Sequence, residues 1–532
     1  MPISANAVWN IMSSATGTAG KNGGFFVTGA SGTDYSLQDG AQYALTGVTS
    51  VGAGNTILSS SASSDMVGNG LFVVSGTNFT SNAWFEITSV VVGVSITVST
   101  NAAGTAICTG VGASGVVNIG GANHLNSTLA DDMFEAGAAG NTYYIMSGTY
   151  TLGESLNFTR DGTTTLPMKI KGYISSQGDS CEGSSRPTLN FGTFSCILGS
   201  YWWMSNIFVT GTPATLLTMG ISTKMFNCKV INKSSTASRV ALATNTNFLI
   251  HSCELSSYLG TALSSSSDAG SVVGCYIHSS SIGVLSGTTS AHVSLINNLL
   301  IDLTYGIYIS SATSAAIVIS GNTFCSPVRS SHAVLSYYGV YIAAGLATGV
   351  IIVNNIFTDM DYGVYSASGA GMSYDLYNNY YNNSTDVTVW VKGPSSTSAI
   401  PTFAGVGSVS GSTATTTSGN HLVQSGATFI TSGVVAGRDY VYVASGTGVT
   451  PMFYGILSVD SETQITTDVT LAANATADKV FGITFGRNFA VGTPMKALGG
   501  PRPTALASTY SYFEQGASQR RDKGTTVSAF IG

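Results

Sequence analysis

The chain has 532 residues and a net charge of −6, and only 8% of its residues are charged, against roughly 25% in an average globular protein. With 44% hydrophobic residues, 64 glycines and a mean hydropathy of +0.28, it is too apolar and too weakly charged to be disordered. Its 19 Lys and Arg residues form no basic block that would neutralise a run of phosphates or track an anionic membrane, so nucleic acid is not an expected partner.

Residues 1–40 carry a lone Trp9 and a Gly-rich GKNGGFF without a strong core pattern. They read as an arm that orders only against a neighbouring subunit or a larger particle. The opening MPISANAVWNIMSSATG has neither a positive n-region nor an apolar h-region, so Sec export is not expected. No window approaches the 18 or so apolar residues that span a bilayer, and membrane insertion is not expected either.

Residues 41–120 are predicted to form a small antiparallel β module, because apolar and polar residues alternate through MVGNGLFVVSGTNFTSNAWFEITSVVVGVSITVST (66–100). A second module over 401–485 is related to it. Ser75-Gly76-Thr77 aligns with Ser445-Gly446-Thr447, and Phe85, Ile87, Ser89, Val90 and Ile96 align with Tyr454, Ile456, Ser458, Val459 and Ile465.

Between the modules, residues 121–400 read as a solenoid. NSTLADDMFEAGAAGNTYYIMSGTYTL (126–152) predicts a short helix and then a first rung. Thr128 and Asp131 suggest a capping box, and Asp131, Asp132 and Glu135 suit the positive end of a helix that would cover the open end of the coil. From about residue 200 to 390 the chain repeats every 22 to 25 residues, with one longer step of 33.

Asn206, Cys228, Cys253, Cys275, Asn298, Asn322, Asn355 and Asn379 align in one column of that repeat. Gly260, Gly283, Gly306, Gly339 and Gly363 align in a second, where the chain is expected to turn. Short strands separated by Gly or Asn at this period indicate a parallel β-helix, in which each rung lies about 4.8 Å above the last and equivalent side chains stack. The column then consists of stacked amides and small buried thiols. Seven cysteines without CxxC spacing or clustered His suggest neither a disulfide framework nor a metal site, and no cofactor motif is present.

AGNTYYIMSGTY resembles the opening rung of right-handed parallel β-helix proteins of the pectin-lyase-like class. YFEQGASQR (512–520), within a closing strand and tail over 486–532, is similar to their closing strand, with Glu514 and Gln515 where Asp and an aliphatic residue are usual. The expected fold is therefore all-β: a right-handed parallel β-helix solenoid flanked by two related small antiparallel β modules.

Chemistry has two candidate locations. Asp359 and Asp361 sit i and i+2, a spacing that puts both on one strand face about 6.5 to 7 Å apart at Cα, and Asp302 occupies the slot of Asp359 two rungs earlier. They are either the acid and base of a polysaccharide hydrolase or lyase or solvated turn residues, with Arg329 and His332 the nearest basic groups. Tyr305-Gly-Ile-Tyr308, Tyr338-Gly-Val-Tyr341 and Tyr362-Gly-Val-Tyr365 repeat one motif. Alternation turns Tyr308, Tyr341 and Tyr365 outward as an aromatic stripe for glycan or for a subunit interface.

The uncharged, Ser/Thr/Gly-rich β-helix with its two modules resembles structural proteins of tailed-bacteriophage virions: tailspikes, tail fibres, and head fibres or decoration proteins. That resemblance implies a homotrimer on the virion surface, contacting other virion proteins and host surface polysaccharide without catalysis. A polysaccharide-degrading tailspike and a bacterial surface adhesin are the alternatives.

Overall fold

The computed structural model describes residues 3–13, 21–125, 130–179, 181, 183–265, 269–287, 292–310, 317–325, 336–343, 349–358, 360–367, 374–376, 378–381, 383–388, 396, 410–417, 420–432, 434, 436, 440–447, 452–467 and 474–484. The proposed closing strand, the Thr128 cap, Arg329 and His332 lie outside these. Among the described residues there is one α-helix, Ala130–Ala136, and the rest of the regular structure is β apart from two short 3-10 turns. The chain divides into two units, 1–181 with 185–229 and 182–184 with 230–532.

In the first unit, the strands Thr142–Met146, Met168–Tyr173, Trp202–Ser205 and Lys224–Phe226 pair in parallel, one per rung. Tyr143, Ile170, Met204 and Met225 alternate into the core, all 0 or 1% exposed. Of the expected N-terminal arm, the described strands Ala7–Ile11 and Phe25–Val27 pair within the chain itself. Ala7–Ile11 pairs in parallel with Thr142–Met146 and antiparallel with Phe25–Val27, so the chain's own start adds a strand to the sheet.

Trp9 anchors that strand. It is fully buried, its ring centroid lies 4.4 Å from Phe25 and 5.4 Å from Tyr143, and its Nε1–H donates to Asn141 Oδ1 at 3.0 Å. Without an apolar periodicity around it, a single Trp gave no signal that it belonged to the rung of a strand about 135 residues away.

The helix seals the coil with both its faces. Phe134 enters the core against Tyr143 and Phe158, with centroids 4.8 and 4.4 Å away. Its carboxylates serve the neighbouring edge: Asp131 Oδ1 accepts Asn157 N–H at 2.7 Å, and Glu135 accepts the backbone N–H groups of Thr159 and Arg160. Unpaired strand donors are thereby satisfied by side chains.

The N-terminal module is a six-stranded antiparallel sheet built around the long strand Cys108–Ile119. The C-terminal module, in the second unit, is a closed six-stranded barrel over Ser410–Thr484. Their internal repeat persists in three dimensions at the hairpin level. Ser89↔Thr97 and Val90↔Ile96 correspond to Ser458↔Thr466 and Val459↔Ile465, with a register shift at Ile87/Ser89 and at Ile456/Ser458. Gly76 and Gly446 have φ of 146° and 144°, a conformation reserved for glycine.

The second unit carries the regular rungs. Phe248–His251, Gly270–Val273, Val293–Ile296, Ile317–Ser320, Val350–Val353 and Tyr374–Leu376 form one parallel face. The strands that follow each bend form the other, from Glu254–Ser257 through Leu299–Ile309 to Asn379–Tyr381. Phe324, Phe357 and Tyr380 stack inside, with centroids 4.6 and 5.0 Å apart and planes within 8°. On the other side of these strands, Leu299, Ile301 and Ile356 belong to one apolar cluster with Val441, Ile456 and Phe481 of the barrel.

The bend between the two faces is an amide ladder. Asn298 Nδ2 donates to Asn322 Oδ1 at 2.9 Å, Asn322 to Asn355 at 3.0 Å, and Asn355 to Asn378 at 3.0 Å. The same oxygens accept the backbone N–H of the previous rung, and each Nδ2 also reaches a carbonyl, as Asn322 does Leu295 O at 2.8 Å. Cys253 and Cys275 continue the column as thiols, with Cys253 N–H on Cys275 Sγ at 3.4 Å. Cys228 is a buried thiol of the first unit, and all seven cysteines are free.

Two members of the aligned column are displaced by one residue. Asn206, with φ 59°, matches Asn227, with φ 51°, and accepts its amide at 2.8 Å, so Ile207 is the counterpart of Cys228. At the other end Asn378 continues the ladder, and Asn379 pairs with Ile356 in the following strand. A left-handed residue precedes Ile207, Cys228, Cys253, Cys275, Asn298, Asn322 and Asn355, and Asn favours that conformation as well as the ladder, so composition alone did not separate the two.

The glycine column also has a different reason from the one expected. Gly283, Gly306, Gly339 and Gly363 do not have positive φ; a Cβ on Gly306 would lie 2.5 Å from Gly339 O and 2.8 Å from Phe324 Cδ1. Close approach to the next rung and to the aromatic stack, rather than a turn, demands glycine here.

Candidate functional site: a double tyrosine ladder

Glycine at these positions places the tyrosines on either side of it. Ile307, Val340 and Val364 are fully buried. The tyrosines on both sides of each Gly-[Ile/Val] pair are half-exposed.

Tyr308, Tyr341 and Tyr365 stack with centroids 5.1 and 5.0 Å apart. A second ladder, Tyr305, Tyr338 and Tyr362, stacks beside it at 5.1 and 5.0 Å with planes within 7°. The ladders meet edge to face, at 63° for Tyr305–Tyr308 and 83° for Tyr338–Tyr341. Strict strand alternation hid the second ladder, because residues i and i+3 fall on opposite faces of a regular strand. The repeated Tyr-Gly-x-Tyr spacing was the signal.

Six rings in a herringbone use much of their faces on one another. What they offer outward is ring edges and two rows of phenolic oxygens repeating about every rung. Burial, reinforced by the neighbouring tyrosines, raises the Tyr305 and Tyr341 phenols above their ordinary pKa. The hydroxyls therefore stay protonated and act both as donors and as acceptors.

The carboxylates are placed differently. Asp302 is 6% exposed and has φ 56° at the bend within its strand, where the previous rung has Ser279 with φ 48°. A left-handed Asp at a repeated bend is a conformational choice. Asp361 accepts Tyr337 N–H at 2.7 Å while its carbonyl accepts Thr385 N–H at 2.8 Å, so it ties three rungs together immediately before the tyrosine strand. Asp359 lies outside the described residues.

Two polar clusters escaped the sequence. Asp375, on the strand position paired with Ile352 and 5% exposed, accepts Tyr380 O–H at 3.1 Å and the amide of Asn378. It closes the amide ladder and the aromatic stack together. His278 Nε2 lies 3.3 Å from Glu254 Oε1, and its ring stacks on Tyr276 at 4.2 Å.

A family model described as periplasmic copper-binding protein (NosD) matches residues 205–402. Among the described residues no three His, Cys, Asp or Glu side chains converge on a metal position. None of the curated proteins compared with the chain matches it in sequence. Among solved structures, pectate lyase Pel9A is 14% identical over 53% of this chain and 79% of its own, with a TM-score of 0.40. An alginate lyase from Paenibacillus sp. str. FPU-7 is 10% identical over 51% and 94%, with a TM-score of 0.31. The PL6 family polysaccharide lyase Pedsa3628 from Pseudopedobacter saltans is 14% identical over 48% and 75%, with a TM-score of 0.33. At these values no residue's role passes from those enzymes to this chain, whose fold rests on its own strand pairings as an all-β parallel β-helix.

Proposed function

We propose that this chain is a non-enzymatic glycan-binding protein of a virion surface, a homotrimeric fibre, spike or decoration protein that attaches to host polysaccharide through the tyrosine double ladder. The observation that carries the glycan reading is the array itself: six half-exposed phenols at rung spacing. Such a surface suits a ligand that repeats, offering each sugar hydroxyls and an apolar edge. Many weak contacts, multiplied by trimerisation, then supply avidity. The bound state of Asp361 and the burial of Asp302 favour adhesion over cleavage.

The test incubates the full chain with purified host capsule and lipopolysaccharide, measuring retention on the immobilised polysaccharide, new reducing ends and unsaturated uronates. Retention without new ends is expected, weakened in Tyr341→Phe. New ends in the wild type would establish the polysaccharide-degrading alternative. Light scattering checks the trimer, and a monomer together with no retention would overturn the attachment role.

A further inference from the structure

The first unit has a ladder of a different kind. Five of the chain's ten lysines fall between positions 169 and 233, and three of them occupy one outer sheet face with aromatic rings between them. Lys169, Trp203 and Lys224 are in register on three successive rungs. The two Nζ atoms lie 5.7 and 4.8 Å from the Trp203 ring centroid. Lys171, two residues along the same strand, pairs with Tyr144 and sits 5.7 Å from that ring.

All five side chains are half-buried, and the residues alternating with them, Ile170, Met204 and Met225, fill the core. Among the described residues no carboxylate lies within ion-pair distance of Lys169, Lys171 or Lys224.

Three uncompensated ammonium groups on one face are an exception in a chain whose net charge is −6 and whose surface is largely uncharged. Their rings hold them in place, since a lysine laid over an aromatic face loses side-chain freedom before any ligand arrives. The backbones of Lys169 and Lys224 are two rungs apart, about 10 Å, and those of Lys169 and Lys171 about 7 Å. A flexible strand carrying carboxylates at intervals can engage lysines distributed in this way at several points.

We propose that this Lys-Trp-Lys face is a second binding site, independent of the tyrosine array, for an acidic polysaccharide whose carboxylates engage Lys169, Lys171 and Lys224. The ammonium groups supply charge-assisted hydrogen bonds. The Trp203 and Tyr144 rings hold the lysine side chains against this face.

The experiment measures binding of the full chain to hyaluronate, a polysaccharide with one carboxylate per disaccharide, to neutral dextran and to oligothymidylate, by titration at low and moderate salt. Hyaluronate binding that weakens with salt, with dextran not bound by this face, is expected. The double variant Lys169→Gln/Lys224→Gln should lower hyaluronate affinity at least about tenfold while its melting temperature stays near that of the wild type. Lys233→Gln, which removes an exposed lysine outside these strands, should leave hyaluronate affinity unchanged, which separates this face from a general effect of charge. No hyaluronate binding, affinity unchanged in the double variant, or tighter binding of oligothymidylate would overturn the proposal. If the double variant unfolds, Lys171→Gln alone decides it by the same affinity comparison.

Discussion

Replacing Asn322 by alanine tests the ladder that sets the rung register. Asn322 is fully buried, and all its polar capacity is in use: Oδ1 accepts Asn298 N–H and Asn298 Nδ2 at 2.9 Å each, and Nδ2 donates to Leu295 O at 2.8 Å and to Asn355 Oδ1 at 3.0 Å. Alanine strips the buried Asn298 backbone N–H of its acceptor and leaves the Asn298 amide half-satisfied. A buried donor left unmade costs about 1–3 kcal/mol, and the emptied side-chain volume adds to it, so a loss of about 2–4 kcal/mol is expected. Denaturant unfolding measures the total. Native-state hydrogen exchange locates it, because the Asn298 amide should exchange about 30-fold faster or more. Asn322→Cys should recover part of the loss, since Cys275 Sγ already accepts an N–H from the rung before it. Asn322→Ala within about 0.5 kcal/mol of wild type, with Asn298 exchange unchanged, would refute the reasoning.

Gly306→Ala places a Cβ 2.5 Å from Gly339 O and should destabilise by about 1–3 kcal/mol, whereas Gly153→Ala, with open space and no positive φ, should be neutral or stabilising by up to about 1 kcal/mol; thermal melts of the pair check both. Tyr341→Phe keeps the stacking with Tyr308 and Tyr365 and should melt close to wild type, yet lose affinity for host polysaccharide in a retention assay. Lys21 is depressed to about 8, desolvation outweighing the attraction of Glu154 and Asp132. Between pH 8 and its ordinary value near 10.5 the unfolded chain holds that proton and the folded one does not, so this group's contribution to stability rises with pH across that window. Lys21→Met should therefore be more stable than wild type at pH 7, with a gap that narrows by pH 9.5 in denaturant titrations at both values.

The solenoid was legible because a parallel ladder forces equal spacing on equal environments. Asn298, Asn322 and Asn355 needed only their period to be recognised. Where one position carries two demands, the sequence was ambiguous: Asn206 and Asn379 have the right residue type one place away from the column, since asparagine suits both the left-handed bend and the amide stack. Trp9 was illegible for the opposite reason. Its partners Phe25, Trp84 and Tyr143 lie far apart along the chain, so no local pattern announces the strand it anchors. Asp375 and Tyr380 meet only because an inner position of one strand faces an inner position of the next, a contact that no motif of either strand encodes.

The geometry that makes the fold also limits what its surface recognises. In-register parallel pairing copies a residue from rung to rung, so a motif of one rung becomes a linear array at fixed pitch: tyrosines in the second unit, and lysines alternating with tryptophan in the first. An array of equivalent groups cannot distinguish the ends of a ligand, but it binds a repeating one at several registers and gains affinity with length. Catalysis needs the reverse, two unlike groups held at one point. Asp361 is the one aspartate of its pair without a counterpart in the aligned rung, where Thr304 stands, and it is held by Tyr337 N–H. The asymmetry that a reaction centre would require is thus used at that position to join rungs.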